Sequence, residues 1–388
     1  MSRAEIGDAL PAAAEIVADV RARGDAALLD WTERLDGARP ASLRVDRDTI
    51  AGATADDEFL AAIRRLAEAV AAFHAPQRPP DVVVSPIPGI EVERRYLPLS
   101  SVGLYVPGGR ASYPSSLVMA AVPARLAGVE RVAVVSPAPS AAVLATAREL
   151  EVDEVYAVGG AQAIAALAYG TETVPRVDKI FGPGSPWVTA AKLLVSGSVA
   201  VDLPAGPSEV LVIADDTADP ALCAADLLAQ AEHGPDSECV LVSTSADVAD
   251  AVAALVSPEQ VRVEVVGSLD EALARADEYA PEHLELHVAD PEAAAARVRN
   301  AGSVFLGSAA PAVIGDYAAG ANHVLPTGGL ARGAGGLGLE AFLKPVQYVR
   351  STEAGLEAVR DVVSALARVE GMPSHAAAVE ARFANVGR

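Results

Sequence analysis

From residue 101 onward the chain alternates short Val-rich runs, glycine turns and helical stretches, and few architectures accommodate that rhythm. Residues 131–135 read as a buried strand, 141–150 as a helix and 154–158 as a second strand. Gly159-Gly160-Ala161-Gln162 then turns into a helix over 163–169, and a short strand at 178–181 ends in Gly182-Pro183-Gly184. A second unit of the same kind begins near residue 208 with a strand over 209–213. Asp219 caps the helix that follows, Pro220 takes its first position, and Gly234-Pro235 stops it after His233. Further strands are expected at 239–243, 263–266, 284–288 and 303–306. Strand–turn–helix repetition of this kind implies α/β layers built on parallel sheets.

Outside that rhythm the pattern is different. Residues 9–37 and 57–74 carry apolar side chains at helical spacing, whereas 92–96 and 101–106 look extended. Residues 326–340 are glycine-rich and poorly patterned, and a last helix over about 352–369 precedes a short tail. There is no repeat of solenoid period and no low-complexity linker. A chain of 388 residues exceeds one ordinary core, so two or three packing units are expected. Half the residues are apolar and only 4% aromatic, which suits helices packed on buried parallel strands.

Charge and cysteine content narrow the function. A net charge of −22 argues against nucleic acid and anionic membranes, both of which need basic patches. The start, MSRAEIGDALPAAAEIV, lacks a basic region followed by an apolar core, so it does not read as a signal peptide. No apolar stretch approaches the roughly 20 residues of a spanning helix. Two cysteines exclude a disulfide scaffold and make a reducing cytoplasm the expected compartment. Neither has a nucleophile context, and Cys239, inside a strand-like run, reads as a buried structural thiol.

Four of the six histidines sit among other chemistry-bearing residues: Gln230-Ala-Glu-His233, Glu282-His283, Asp316 to His323, and Glu370 to His375. Gln230 and His233, three apart, share one face of a helix, and His233 falls at its C-terminus. Alone that pair is a polar helix end; with Asp316 and two further histidines downstream it becomes a candidate for a metal, which wants about four N, O or S ligands. Glu282 and His283 are two proton carriers at the start of a strand, where neighbours point to opposite faces and need not touch. A solvated Glu beside a satisfied His is the plainer alternative. His287 shares the parity of His283 and receives no role, and His74, ahead of Pro76, reads as a surface residue. The turns at 107–109, 159–160 and 182–184 each follow a strand. Singly they are tight βα turns; together they make a dinucleotide-binding candidate, although none is a G-x-G-x-x-G fingerprint.

Ordered blocks along nearly the whole chain resemble histidinol dehydrogenases. They are Gly103-Leu-Tyr-Val-Pro-Gly-Gly109, Tyr113-Pro-Ser-Ser116, Gly159-Gly-Ala-Gln162, Pro204-Ala-Gly-Pro-Ser-Glu209 and Leu228-Ala-Gln-Ala-Glu-His233. Ala280-Pro-Glu-His-Leu284, Gly315-Asp-Tyr317, Asn322-His-Val-Leu-Pro-Thr327 and Glu370-Gly371 through His375 continue the series. The resemblance implies two Rossmann-like, aldehyde dehydrogenase-like domains with a helical N-terminal region and a C-terminal dimerisation arm. The corresponding boundaries are 1–100, 101–205 (NAD-binding), 206–327 (zinc and catalytic residues) and 328–388 (the arm). It further implies a cytoplasmic, homodimeric, zinc-dependent enzyme that oxidises L-histidinol to L-histidine through the aldehyde with two NAD.

Residue by residue, the resemblance gives Gln230, His233, Asp316 and His375 as zinc ligands, His375 reaching from the other subunit. Glu282 and His283 become the acid/base pair, and Ser208, His323 and Glu370 hold substrate alongside the zinc set and His283. Tyr105 and Gln162 match cofactor contacts. Ser185 stands where the family commonly has a cofactor-contacting Asn, which puts that one contact in doubt. Ala321 replaces a frequent Pro, and Gly234 a frequent acidic residue. The rivals are a paralogue acting on another polar alcohol and a non-catalytic, zinc-stabilised protein of the same fold. Glu370 and His375 together disfavour the first, and an acid/base pair outside the ligand set disfavours the second.

Overall fold

The computed structural model describes residues 3–108, 112–203 and 206–383; the motif positions Gly109, Pro204 and Ala205 lie outside them. Along the described residues the strands are β1 (Val82–Ile87), β2 (Ile90–Pro98), β3 (Ser101–Tyr105), β4 (Arg131–Val135), β5 (Val155–Tyr156), β6 (Lys179–Phe181), β7 (Ala200–Val201), β8 (Glu209–Ala214), β9 (Glu238–Ser243), β10 (Val261–Val265), β11 (His283–His287), β12 (Ser303–Leu306) and β13 (Leu343–Ser351). The chain divides into two compact units. One comprises residues up to 77 and 99–342, the other 78–98 and 343 onward.

The larger unit holds both parallel sheets, ordered β5-β4-β3-β6-β7 and β10-β9-β8-β11-β12. Numbered within each sheet, both read 3-2-1-4-5, so the same Rossmann-like wiring occurs twice. In the first sheet the N-terminal helices Arg3–Arg23 and Asp25–Asp36 bury Ala13, Ile16, Val20 and Leu28 against Ile164, Leu167 and Ala191 from the crossover helices. That explains why the helical N-terminal region belongs to this unit.

The second sheet is buried on both faces, and strand parity sorts its two cores. Leu211, Ile213, Leu284 and Leu286 pack on one side with Leu273 and Ala276. Val210, Val212 and Ala214 pack on the other with Cys223 and Leu227 of the helix Pro220–Ala231. His283, Glu285 and His287, out of step with Leu284 and Leu286, therefore face that helix, and all five residues of β11 are buried. Asp219 caps the helix through Ala221 N–H at 2.8 Å, as its sequence signals require. Cys239 is buried in β9.

The smaller unit is an antiparallel sheet, β1-β2-β13, followed by the helices Glu353–Val369 and Pro373–Phe383, which the Arg360–Glu380 ion pair ties together. Two expectations need correcting here. The segment after residue 369 is helical rather than a plain tail, and β1 and β13 were not anticipated. β13 lacks clean alternation because most of its side chains remain at least partly exposed, so its order comes from pairing along β2. A third correction falls in the larger unit. His74 is buried at the end of the helix Asp57–His74, donating from Nδ1 to the Val70 carbonyl at 2.8 Å, with Asn322 Nδ2 3.3 Å from Nε2. It is an anchor for the loop carrying His323, formed because that loop lies over the last turn of the helix.

Candidate active site

The two sheets meet the same cleft by opposite ends. From the first come residues at or after strand C-termini: Tyr105, Pro107 and Gly108 after β3, Pro137 after β4, Gly160 after β5, and Pro183 to Ser185 after β6. That is where an open α/β sheet ordinarily binds ligands, beside its switch point. From the second sheet come residues at strand N-termini: Pro207 and Ser208 before β8, Ser237 before β9, and Glu282 and His283 at β11. His233, Asp316 and His323 complete this end of a cleft of about 610 Å³, within the usual range for a small-molecule site.

Backbone contacts define His283. Its Nδ1–H donates to the Glu209 carbonyl at 3.0 Å, which fixes the tautomer and leaves the Nε2 lone pair free, 3.9 Å from Asp316 Oδ1. Glu282 is also buried, and the two side chains do approach: Glu282 Oε2 lies 3.5 Å from His283 Nδ1. Opposite-face alternation does not keep them apart because Glu282 precedes the strand, where the pleat has not begun. Glu282 Oε2 accepts from Ser208 Oγ at 2.7 Å and from Glu209 N–H at 2.8 Å. Burial pushes its carboxyl up to about 7, against the pull of those two donors. The solvated glutamate of the plainer sequence alternative is thereby excluded.

Asp316 sits in the helix Ala312–Tyr317, and its backbone carbonyl accepts from His323 Nδ1 at 3.2 Å. His323 Nε2 faces Ser116 Oγ at 3.3 Å, and burial holds the imidazole pKa below its ordinary value. Gln230 is buried at the end of the helix Pro220–Ala231 with its amide nitrogen unpartnered. His233, exposed just beyond that helix, turns Nδ1–H to the Gln230 carbonyl at 3.3 Å and keeps Nε2 for a ligand. The Gln230 amide oxygen, an imidazole with one nitrogen already used and a carboxylate form an N/O donor set that fits zinc. Glu370 and His375 belong to the smaller unit, where both are exposed.

At the first sheet's end, Tyr105 OH accepts from Gly160 N–H at 3.1 Å, and Gln162 is buried with its amide oxygen unpartnered. Gly182 needs its glycine: φ is +114° and a Cβ would collide with the Tyr105 carbonyl. Asp202 holds this turn from below, accepting from Gly182 N–H at 2.7 Å and pairing with buried Lys192 at 2.5 Å. Ser185 caps the helix Pro186–Val195 without using its hydroxyl in the cap, and it lines the cleft.

Sequence reasoning passed over three residues here. Glu209 holds both Glu282 and His283 by backbone atoms while its side chain accepts from Gly328 N–H at 2.7 Å. Ser116 belonged to a recognised block but carried no role, and Asp36 lines the cleft from the N-terminal helices. Glu209 reads as an ordinary strand residue, and Asp36 lies over a hundred residues from the nearest assigned second-sheet position. Glu209 does end a recognised block, but no local signal marks Asp36.

Comparison with known proteins agrees with this architecture. A family model described as histidinol dehydrogenase matches residues 1–383. The histidinol dehydrogenase of Methanosarcina mazei is 43% identical over 98% of this chain and 92% of its own. That of Halobacterium salinarum is 47% identical over 95% and 92%. Among solved structures, histidinol dehydrogenase from Elizabethkingia anophelis superposes with a TM-score of 0.91 at 36% identity, covering 97% of this chain and 93% of its own. A putative aldehyde dehydrogenase from Burkholderia cenocepacia, 15% identical, shares the fold alone, with a TM-score of 0.51 over 87% and 86%.

Proposed function

The chain belongs to the histidinol dehydrogenase family, and from that premise we propose that it oxidises L-histidinol to L-histidine by way of L-histidinal, in histidine biosynthesis. The observation that carries the mechanism is the pairing, in one cleft, of an imidazole locked in a single tautomer with a buried carboxyl poised near neutrality.

The cleft's first-sheet end, with Tyr105, Ser185 and the glycine turns, suits a dinucleotide, and Asp36 there suits ribose hydroxyls better than a phosphate. NAD bound along it would supply the hydride acceptor for both oxidations. Gln230, His233 and Asp316, with the partner subunit's His375, would hold zinc, whose contribution is to fix substrate position and polarise its polar groups. Ser208, His323 and Glu370 would hold the substrate against this set.

His283 Nε2 takes the hydroxyl proton as the alcohol carbon gives up its hydride. For the second oxidation Glu282 takes a proton from the water that adds to the aldehyde carbon, and the hydrate then loses a second hydride. Burial near neutral pKa suits Glu282 to this, since it accepts a proton readily and releases it again. Neither step asks for a thiol, in keeping with the buried Cys223 and Cys239.

Homodimerisation is part of the same reading, supported by Val362, Leu366, Val369 and Met372, which stay exposed along and just past one face of the helix Glu353–Val369. No helix among the described residues is long and apolar enough to cross a membrane, and a cytoplasmic setting fits the unpaired cysteines. The test is NADH formation from L-histidinol with zinc present, compared with amino alcohols lacking the imidazole. Two NADH per histidinol and little turnover of the others are expected. No NADH from histidinol, or equal turnover of an aliphatic amino alcohol, would reject the assignment.

A further inference from the structure

The face of β11 that presents His283 to the cleft continues into the core with Glu285 and His287. The helix packed on it, Pro220–Ala231, carries a matching stripe: Cys223, Asp226 and Gln230 recur at i, i+3 and i+7. Helix and strand run in opposite directions in a βαβ unit, so Gln230 lies near His283 while Asp226 meets Glu285 and His287. A polar seam thus crosses what is otherwise an aliphatic core.

The inner end of this seam is an unusual place for ionisable groups. The side chains of His287 and Glu285 are 2% and 1% exposed, and that of Asp226 14%. Both His287 nitrogens and Glu285 Oε2 are buried without a hydrogen-bond partner. Glu285 Oε1 is already committed, accepting from Ala312 N–H at 2.6 Å. One ligand atom each from Asp226, Glu285 and His287 lie within 4.8 Å of one another.

Two of the spacings match a shared cation. His287 Nε2 is 3.4 Å from Asp226 Oδ2 and 3.4 Å from Glu285 Oε2. A charge-assisted N–H···O bond would draw either pair to about 2.7–2.9 Å. Ligands held about 2.0–2.1 Å from one ion at tetrahedral angles stand roughly 3.3 Å apart. We propose that Asp226, Glu285 and His287 form a structural binding site for a divalent cation of the zinc class, separate from the cleft. The Cys223 thiol lies beside the imidazole. The ion satisfies His287 Nε2 and Glu285 Oε2 and clamps β11 to the helix Pro220–Ala231, and through Glu285 to the helix that carries Asp316.

Zinc per chain, measured by elemental mass spectrometry after saturation with zinc and gel filtration, tests this. The readout is the difference between the wild type and the variants Glu285→Gln and Asp226→Asn, so it is independent of whether the cleft itself holds zinc. Each variant is expected to lose one equivalent, while His233→Ala keeps the triad's equivalent. Asp226→Asn guards against misfolding, because its side chain reaches the surface and its shape is kept. Anomalous scattering from a zinc-soaked wild-type crystal is the second measurement, with a peak expected beside His287 Nε2. Equal zinc content in wild type and folded variants, or no anomalous peak at the triad, overturns the proposal.

Discussion

Glu282 and His283 are adjacent in sequence, yet the chain holds them by different means. His283 spends Nδ1–H on a backbone carbonyl and so offers one basic nitrogen; Glu282 spends one oxygen on two donors and keeps the other. Division of labour follows. His283→Gln should slow alcohol oxidation about 10²–10⁴-fold, whereas Glu282→Gln should slow oxidation of supplied histidinal far more than alcohol oxidation. Single-turnover rates with each substrate check this, and equal loss in both half-reactions from Glu282→Gln would contradict it. Glu209 gives a prediction about stability. Burial pushes its carboxyl from an ordinary 4.5 to about 7, so in that window the folded chain binds a proton that the unfolded chain has released. Its contribution is whole below pH 4.5 and is lost as pH rises through 7. Glu209→Gln keeps the oxygen that accepts from Gly328. It should therefore flatten the fall in Tm between about pH 5 and 7 and leave the protein more stable than the wild type above neutrality. A slope identical to the wild type's would remove Glu209 as its source.

Among the elements, the helix Pro186–Val195 is informative because its cap and its ligand face coincide. Ser185 is the N-cap, but its hydroxyl makes no cap bond and the residue lines the cleft. Asn is as good an N-cap as Ser, so Ser185→Asn should leave Tm within about 1 °C of the wild type's. The longer amide restores a donor and an acceptor toward the cofactor, so the KM for NAD should fall with kcat nearly unchanged. An unaltered KM would show that this helix start does not reach the cofactor. Most elements were legible because their signals are local: Asp219-Pro220 announces one helix, and the Val-rich runs announce buried strands. β13 and the final helix were not, because their order comes from pairing and packing rather than from periodicity.

For the molecule as a whole, the proposed function gives the smaller unit a role outside its own chain. If the partner subunit's His375 completes each site, His375→Asn and Glu282→Gln homodimers are each nearly inactive in forming histidine from histidinol. Mixed under subunit exchange, they should regain up to about half the wild-type activity per heterodimer, since one of its two sites is intact. Heterodimers confirmed by mass spectrometry but without activity would place His375 in its own subunit's site or in none.

By itself the sequence determined the family, the alternation of strands and helices and the identity of the chemistry-bearing residues, because short motifs, caps and turns act through neighbours in the chain. Tertiary structure alone decided that the second sheet meets the cleft by its strand N-termini, that Glu282 is buried against Ser208, and that His74 anchors the His323 loop. It also decided that Asp226, Glu285 and His287 converge. These are contacts between residues tens to hundreds of positions apart, set by which faces of sheet and helix bury each other, and no local pattern encodes them.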